Sequence, residues 1–279
     1  GTSNFIAGVN AGNSITSGGN YNVLVGDEAG TAITTGDYNV ALGMDTGKSL
    51  TTGVQNVLVG NKAGDALTEA DYNTSVGRSS LTSDTKGSKT TAIGWGTLNT
   101  QNFTSATDSY NTAVGYNSGA LVTTGTQNTF IGGNSGDANT TASNNTAVGY
   151  ASLGTNTTGA SNVAIGYLAL DANTTASYGT AVGHQALSAN TTGTQNTAVG
   201  AAALQAATTA ASNTAVGYTA LSAATTGASN TAMGAGALTA NTTGSDNIAL
   251  GVNALLANTT GTNNTALGSY SLATNITSI

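Results

Sequence analysis

The chain has 279 residues, of which only 6% are charged, and its formal net charge is −7. This acidic balance excludes the basic surface that a nucleic-acid partner requires, and no apolar run approaches the ~18 residues that membrane insertion needs. Cysteine is absent, which excludes disulfides and thiolate metal ligands. All five cations lie before residue 90, so the rest of the chain has no basic patch that could bind a membrane surface. The cations are Lys48, Lys62, Arg78, Lys86 and Lys89.

One sequence repeat covers the whole chain. Residues 230–246 read NTAMGAGALTANTTGSD, and residues 247–263 read NIALGVNALLANTTGTN. Thirteen of the fifteen steps between repeats are 17 residues, whereas the first is 18 and the step from Thr90 to Asn111 is 21. Since a fixed short period is the mark of a repeat architecture, we predict a single array over residues 1–279. Its sixteen repeats begin at Asn4, Asn22, Asn39, Asn56, Asn73, Thr90, Asn111, Asn128, Asn145, Asn162, Gly179, Asn196, Asn213, Asn230, Asn247 and Asn264.

The first residues of each repeat predict a β-strand. Position 2 is Thr, Val, Ile or Phe in every repeat, and position 4 is Val, Ile, Leu or Met except at Ala7. Alternate strand residues share a face and β-branched side chains suit a pleated surface, so we expect position 2 to point inward with position 4 beside it. Thr-Thr pairs at positions 13 and 14 predict a second short strand. The Gly, Asn and Thr content disfavours helix, and the absence of proline suits unbroken ladders.

Each repeat is therefore predicted to be one turn of an all-β solenoid, with sixteen turns stacked at about 4.8 Å. Asparagine at position 1 would form a ladder of side-chain amides. Position 5 is glycine in all sixteen repeats, which predicts a positive φ or a close backbone approach there. These structural glycines are Gly8, Gly26, Gly43, Gly60, Gly77, Gly94, Gly115, Gly132, Gly149, Gly166, Gly183, Gly200, Gly217, Gly234, Gly251 and Gly268.

Two subtypes of repeat predict how the inside of a turn is filled. Residues 4–89 are assigned to a subtype that is defined by the repeats at Asn4, Asn22, Asn39 and Asn56, which have Gly at position 9 and Ile or Leu at position 12. Residues 145–279 form a subtype with Leu at position 9 and mostly Asn or Ala at position 12. Since apolar volume leaves one position as it appears at the other, we infer that positions 9 and 12 share one interior space.

Residues 90–144 form a transition between the subtypes. It contains an inserted loop near residues 99–110, around Phe103, which we expect to bulge from one turn. A domain boundary at the insertion is the alternative. Disorder is the competing interpretation for the whole chain, but low-complexity coil does not keep apolar residues in strict register.

The titratable residues predict neither catalysis nor a metal or cofactor site. Enzymes need such groups brought together, whereas the single histidine, His184, stands at position 6, where other repeats carry tyrosine. We expect it to be exposed, with a role as ligand or base as the alternative. The twelve carboxylates are scattered among turn positions, which favours solubility over calcium binding. The Gly-rich, Asp-containing nonapeptide of calcium-loaded solenoids is missing.

Aromatic side chains recur at position 6 and predict an exposed rim. Rings at regular spacing can stack on sugars or grip a protein receptor, so this rim is the candidate receptor-binding surface. The alternative is that the rings only cover the edge of the turn. The rim residues are Trp95, Tyr116, Tyr150, Tyr167, His184 and Tyr218.

Repeats such as NTAVGYASLGTNTTGASN and NTAVGYTALSAATTGASN resemble the repeat regions of phage tail-fibre proteins and the head repeats of trimeric autotransporter adhesins. The adhesin repeat centres on a Ser-Val-Ala-Ile-Gly-like run, matched here by Asn-Thr-Ala-Val-Gly. This resemblance spans the chain and implies a left-handed solenoid in a side-by-side homotrimer, with position-3 residues such as Ala147, Ala181 and Ala266 near the shared interface. The chain departs from the adhesins in its longer 17-residue period and shows no neck, coiled-coil stalk, membrane anchor or terminal chaperone domain.

Self-association is also favoured by the residues themselves, because coils of Ala, Val and Leu bury little apolar surface and end turns expose strand edges. Monomer and dimer are the alternatives. The resemblance implies a structural attachment fibre: a rigid trimeric shaft, extracellular or on a virion surface, that mediates adhesion to a host-cell glycan or protein. A bacterial surface adhesin is one alternative. Ice binding through the threonine columns is another, although an inward position 2 and divergent Thr-Thr pairs argue against it.

Overall fold

The computed structural model describes residues 3–274 and 276, and every regular element in that part of the chain is a β-strand. The chain divides into two compact units, unit 1 over residues 1–143 and unit 2 over residues 144–279. Each unit is a parallel β-solenoid in which one three-residue strand recurs about every 17 residues. The prediction of an all-β solenoid with 17-residue turns is confirmed.

In unit 1, eight strands pair in parallel and in register, each with the equivalent strand of the next turn. Two further strands, β6 and β8, form a separate parallel pair beside the insertion. The strands are β1 Phe5–Ala7, β2 Val23–Val25, β3 Val40–Leu42, β4 Val57–Val59, β5 Thr74–Val76, β6 Gly87–Ser88, β7 Thr91–Ile93, β8 Thr107–Asp108, β9 Thr112–Val114 and β10 Thr129–Ile131.

Unit 2 contains eight strands with the same parallel register, so that like residues lie over like. Thr180, Ala181 and Val182, for example, pair with Thr197, Ala198 and Val199. The strands are β11 Thr146–Val148, β12 Val163–Ile165, β13 Thr180–Val182, β14 Thr197–Val199, β15 Thr214–Val216, β16 Thr231–Met233, β17 Ile248–Leu250 and β18 Thr265–Leu267.

The strands turn their middle residue inward, so the predicted inward position 2 is wrong. Ala198 at position 3 is fully buried, whereas Val199 at position 4 is 36% exposed and Thr197 at position 2 is half-buried. Positions 2 and 4 share a face, but it is the outer face of the sheet. Positions 3 and 9 share the interior beside the strand: Leu58 at position 3 fills it, and a Cβ on Gly47, at position 9 of the preceding turn, would meet its Cδ1 at 2.7 Å. In unit 2, where position 9 is leucine in every repeat, position 3 is alanine, so the narrow space is filled once.

This orientation also corrects the interface that the family resemblance implied. Ala147 and Ala181 are fully buried and Ala266 is 2% exposed, each inside its own turn. Side chains that fill the interior of one chain have no surface left for another chain. Any contact between chains through this sheet would use positions 2 and 4 instead.

The second predicted strand, at positions 13 and 14, does not form in the described residues. Two successive amides, those of Thr174 and Thr175, both donate to the carbonyl oxygen of Thr191, at 3.1 and 3.5 Å. The hydroxyl of Thr174 donates to the same oxygen at 3.1 Å. Because both amides converge on one acceptor, the evenly spaced bonding of a parallel strand is lost. Position 13 is half-buried and position 14 is exposed.

Position 5 shows why only glycine stands there. The sixteen glycines have φ values between 114° and 139°, a region that side chains rarely adopt. A Cβ on Gly183 would also lie 2.6 Å from the carbonyl oxygen of Gly200 in the next turn. Both reasons that the sequence suggested, the positive φ and the close backbone approach, therefore act together.

Positions 9 and 12 share one interior space. A Cβ on Gly30 would lie 2.8 Å from Cδ1 of Ile33, three residues on. In unit 2 the position-9 residue is a buried leucine, such as Leu187, that keeps the left-handed backbone of the glycine it replaces, with φ 53°. A leucine in that conformation costs about 1–2 kcal/mol, and burial of its side chain contributes about 1.5–3 kcal/mol. Burial therefore offsets the backbone strain.

The turn that starts at Asn128 is filled in a third way. It has Gly136 at position 9 and Asn139 at position 12, so neither position supplies apolar volume. Phe130 at position 3 is fully buried, and its Cδ1 lies 2.5 Å from where a Cβ on Gly136 would be placed. One aromatic ring thus replaces the leucine of other turns, as a close-packed interior requires.

The asparagines at position 1 form the predicted amide ladder inside the solenoid. Asn213 is fully buried, its Nδ2 donates to the carbonyl oxygen of Gly227 at 2.9 Å, and its Oδ1 accepts from the backbone N of Asn230 at 2.9 Å. The first bond closes the turn on itself and the second links it to the next turn. Each asparagine therefore satisfies buried backbone groups that no strand pairing reaches.

Gly179 leaves one rung out of this ladder, which leads to a stability prediction. Asn162 Oδ1 still accepts from the backbone N of Gly179 at 2.8 Å, but Gly179 offers no side-chain oxygen to Asn196 in the next turn. We expect Gly179→Asn to raise the free energy of unfolding by about 1 kcal/mol, because the new amide oxygen would accept from the backbone N of Asn196. Urea denaturation measures the change. Gly179→Ala is the control, and an equal gain from it would contradict the prediction.

The insertion is anchored at both ends, so the expected bulge is confined to a short tip. Gln101, Phe103 and Ser109 are buried, and β8 pairs with β6. Residues 104–106 are exposed. The inserted segment is therefore largely part of the packed turn.

Asp84 and Gln101 hold the inserted segment in place. The Asp84 carboxylate is buried and accepts from the backbone N of Gly87 and of Phe103, both at 3.0 Å, and from Gln101 Nε2 at 2.7 Å. Gln101 Oε1 accepts from Asn111 Nδ2 at 2.8 Å. Thr90 stands where other repeats have the ladder asparagine, so Gln101 Oε1 accepts from the side chain of Asn111 in its place and Ser109 Oγ accepts from the backbone N of Asn111, at 3.2 Å.

Candidate binding surface

The six predicted rim residues are exposed, and five of them stack along the solenoid. In unit 1, the rings of Trp95 and Tyr116 lie 5.1 Å apart with planes 9° from parallel. In unit 2, Tyr150 stacks on Tyr167 at 5.8 Å, and Tyr167 stacks on His184 at 5.3 Å. Position 6 thus forms a column of rings in each unit, which we call the rim column.

Stacking decides which ring faces remain accessible. Both faces of Tyr167 are covered, by Tyr150 and by His184. Tyr218 differs, because the adjacent position-6 residues are Ala201 and Ala235, and it is 66% exposed. A sugar needs a free ring face to stack on, so the ends of the stacks and Tyr218 are the useful parts of the rim column.

A second aromatic column, at the last residue of a repeat (position 17 in a repeat of the usual length), was missed from the sequence. Tyr21 and Tyr38 stack at 4.9 Å with planes 11° apart, and both are more than half exposed. The missed signal is a Tyr-Asn pair that straddles the boundary between repeats, and it recurs at Tyr21, Tyr38, Tyr72 and Tyr110. Their backbones are left-handed, with φ from 50° to 60°, so this column follows a tight corner of the turn.

Lys89, Asp108 and Tyr110 form an exposed cluster on the position-17 column. Lys89 Nζ lies 2.6 Å from Asp108 Oδ2 and 5.2 Å from the centroid of the Tyr110 ring. The hydrogen bond from Lys89 holds the pKa of Asp108 below its usual range, and the same bond raises the pKa of Lys89. Exposed ion pairs of this kind contribute little stability, so the cluster mainly fixes the ring and the ammonium group in place.

The other titratable groups do not converge on one site. Burial raises the pKa of Asp65 and of Asp171, both at position 10 of their repeats. His184 is exposed and stacked on Tyr167. Within residues 3–274 and 276, no three His, Cys, Asp or Glu side chains cluster in a way that could hold a metal ion. The described residues of each unit form no pocket, and they contain no helix that could cross a bilayer.

The outer face of the sheet in unit 2 carries a column of partly exposed apolar side chains. It consists of the position-2 column, mostly threonine, and the position-4 column of Val, Ile, Met and Leu. Ile165 is 39% exposed, Met233 42% and Leu250 43%. Contiguous apolar surface of this kind marks interaction sites on soluble proteins. We refer to it as the outer sheet face.

No protein-family model, no curated protein sequence and no solved structure matches the chain. The geometry of the two units therefore supplies the functional argument.

Proposed function

We propose that the chain is the shaft of an extracellular attachment fibre, such as a virion tail fibre. In this proposal three copies associate side by side as left-handed solenoids through the outer sheet face, and the rim column contacts a glycan or protein on the host cell. The single observation that carries the proposal is the outer sheet face, a regular apolar surface that repeats at every turn of unit 2.

The use of side chains supports a structural role. Position-1 asparagines and position-13 threonines bond to the adjacent turn, and positions 3, 8 and 9 fill the interior. Most polar and apolar groups of a repeat thus serve to stack one turn on the next. Repeat proteins of this kind depend on contacts between neighbouring repeats, which suits a spacer of uniform stiffness.

Association through the outer sheet face leads to a direct test. We expect light scattering to give three times the monomer mass for the unaltered chain. The double variant Val182→Lys, Val216→Lys should have the monomer mass. Two ammonium groups on this surface would lose hydration on contact with another chain. Because these side chains point away from the interior, the monomer should stay folded by circular dichroism.

Thr192→Lys with Thr226→Lys is the matched control, since both threonines are exposed at position 14, away from the outer sheet face. This variant should keep the trimer mass. A monomer mass for the unaltered chain, or a trimer mass for the position-4 variant, would contradict the proposed assembly.

A bacterial surface adhesin head would use the same geometry. The two candidates share the trimeric shaft and differ in what the shaft is joined to. The full gene separates them, because the adhesin requires a coiled-coil stalk and a membrane anchor in the same polypeptide.

Ice binding is favoured by one observation that the sequence did not anticipate. Thr197 and the other position-2 threonines face outward, and position 14 adds an exposed threonine column that includes Thr192 and Thr209. The expectation that position 2 points inward argued against ice binding, and the observed outward orientation removes that objection. Thermal hysteresis measured on the purified chain tests it, and ordinary freezing behaviour would rule it out.

A further inference from the structure

Two of the five cations form no ion pair in the described residues, and they lie side by side, although the charge of Lys62 also acts on the Asp65 carboxylate and lowers its pKa against the effect of burial. Lys48, Lys86 and Lys89 each form an ion pair, whereas Lys62 and Arg78 form none among the residues that the structure describes. Lys62 is at position 7 of its turn and Arg78 is at position 6 of the next. Both are exposed. The backbone N of Ser79 donates to the carbonyl oxygen of Asn61 at 3.0 Å, which brings the two corners together.

The next residue along the rim column is Trp95. The backbone N of Gly96 donates to the carbonyl oxygen of Arg78 at 3.1 Å, so the corner that carries Trp95 lies directly against the corner that carries Arg78. Successive turns are about 4.8 Å apart. Lys62, Arg78 and Trp95 therefore occupy three consecutive steps on one edge of unit 1.

One face of the Trp95 indole is turned towards these cations. Tyr116, from the turn on the other side, stacks on the opposite face at 5.1 Å. Of the cations in the described residues, only Lys89 lies over an aromatic ring, so the Arg78 guanidinium does not cap the indole. Trp95 is 43% exposed. Gly96 follows it without a side chain, and Asn117 Oδ1 of the next turn lies 2.6 Å from where a Cβ on Gly96 would be placed.

We propose that Lys62, Arg78 and Trp95 form a binding site for an acidic sugar unit of a cell-surface polysaccharide. The indole face stacks on the C–H face of the sugar ring, and the guanidinium binds its carboxylate or sulfate with two parallel hydrogen bonds. Lys62 adds a second positive charge beside the same group. This inference rests on the proposed attachment function and names the class of ligand for the rim column.

Nearby carboxylates favour a single acidic unit over a long polyanion. Asp27, Glu28 and Asp45 occupy the same corner in the two turns that precede Lys62. A nucleic acid or other continuous polyanion running along the edge would meet these like charges. On the other side of the site, the column continues into Tyr116 and Gly133, which carry no charge. The site thus suits one anionic sugar flanked by neutral sugars.

The single tryptophan makes binding directly measurable. Trp95 is the only tryptophan of the chain, so a ligand on its free face should change the intrinsic fluorescence. The probe is trigalacturonate, and its fully methyl-esterified form is the neutral control. A heparin-derived tetrasaccharide replaces carboxylate by sulfate and separates the two anion types. We expect a Kd of about 1 mM for trigalacturonate, since the site is shallow and open.

The expected result is binding of an anionic probe with at least about tenfold weaker binding of the neutral ester. Arg78→Gln should weaken anion binding about tenfold, and calorimetry should show a similar loss for Trp95→Ala. Lys86→Gln is the matched control, because Lys86 is held by Glu69 at 3.0 Å, away from position 6. It should bind normally, and circular dichroism should show that all variants are folded.

Equal binding of the acid and its ester, no binding of either anionic probe, or full binding by Arg78→Gln and Trp95→Ala would each overturn the site. Light scattering keeps this test separate from the proposed function. A chain that forms the trimer and binds no anionic sugar would overturn only the site, whereas a monomer that binds the probe would overturn only the assembly.

Discussion

Gly234→Ala is expected to lower the free energy of unfolding by about 4 kcal/mol, the largest effect of any single methyl group that we consider. Gly234 has φ 136°, where a side chain is strained, and its Cβ would lie 2.5 Å from the carbonyl oxygen and 2.6 Å from the carbonyl carbon of Gly251. Backbone atoms in the adjacent turn can move only by separating the turns. The change is measured by urea denaturation, with circular dichroism as the signal.

The same turn supplies a matched control two residues away. Gly236, at position 7, also has a positive φ, 69°, but a Cβ there would meet the Asn253 side chain, which can rotate away. Alanine already occupies position 7 at Ala151 and Ala202, with φ 49° and 55°. Gly236→Ala should therefore lower the free energy of unfolding by about 1 kcal/mol or less. Equal effects of the two substitutions would show that the close approach at position 5 does not limit stability.

Asn213→Ala is expected to lower the free energy of unfolding by about 3 kcal/mol. It leaves the carbonyl oxygen of Gly227 without the donor at 2.9 Å and the backbone N of Asn230 without the acceptor at 2.9 Å. Both groups lie in a buried part of the turn, and each unpaired buried group costs about 1–3 kcal/mol. Thermal and urea denaturation measure the loss.

Asn263→Ala is the control for the ladder. Asn263 is exposed at position 17, and its side chain bonds only to the hydroxyl of Thr262, at 3.3 Å. Its removal should change the free energy of unfolding by about 0.5 kcal/mol. If Asn213→Ala were as mild, water would have to replace the amide, and the ladder would not be a main source of stability.

The repeat period and its special positions could be predicted because they are recorded sixteen times in one chain. Glycine at position 5 never varies, and a backbone constraint is the only physical reason for such uniformity in a position that carries no side chain. The shared interior space of positions 9 and 12 could be predicted for the same reason, because large side chains alternate between the two positions from repeat to repeat. Gly30 with Ile33 and Leu153 with Asn156 are alternative ways to fill one volume.

Which residues of the strand point into the interior could not be predicted from hydrophobicity alone. Val199 is more apolar than Ala198, yet Ala198 is buried and Val199 is on the outer sheet face. The interior of a 17-residue turn is too narrow for large side chains at both position 3 and position 9, so size decides what enters it. The sequence signal for the inward residue was position 3 itself, which is uniformly small in unit 2, whereas positions 2 and 4 on either side are larger.

The candidate site was predicted in part. Exposed rings at position 6 followed from their spacing, and Trp95 and Tyr116 are stacked there. The partners of the proposed sugar site did not follow, because Lys62 and Arg78 are 16 residues apart in the chain and meet only through the stacking of turns. Which cations form ion pairs depends on side-chain positions, which no repeat pattern encodes.

The in-register pairing of Thr180 with Thr197 and of Ala181 with Ala198 has an evolutionary consequence. Every turn in the interior of unit 2 presents to its successor the same backbone donors and acceptors that it receives from its predecessor. Duplication of the gene segment that encodes 17 residues would thus lengthen the protein by one turn without creating a mismatched contact. Length is the property that such a chain can change in single genetic steps, while insertions of other sizes need compensating residues such as Asp84 and Gln101.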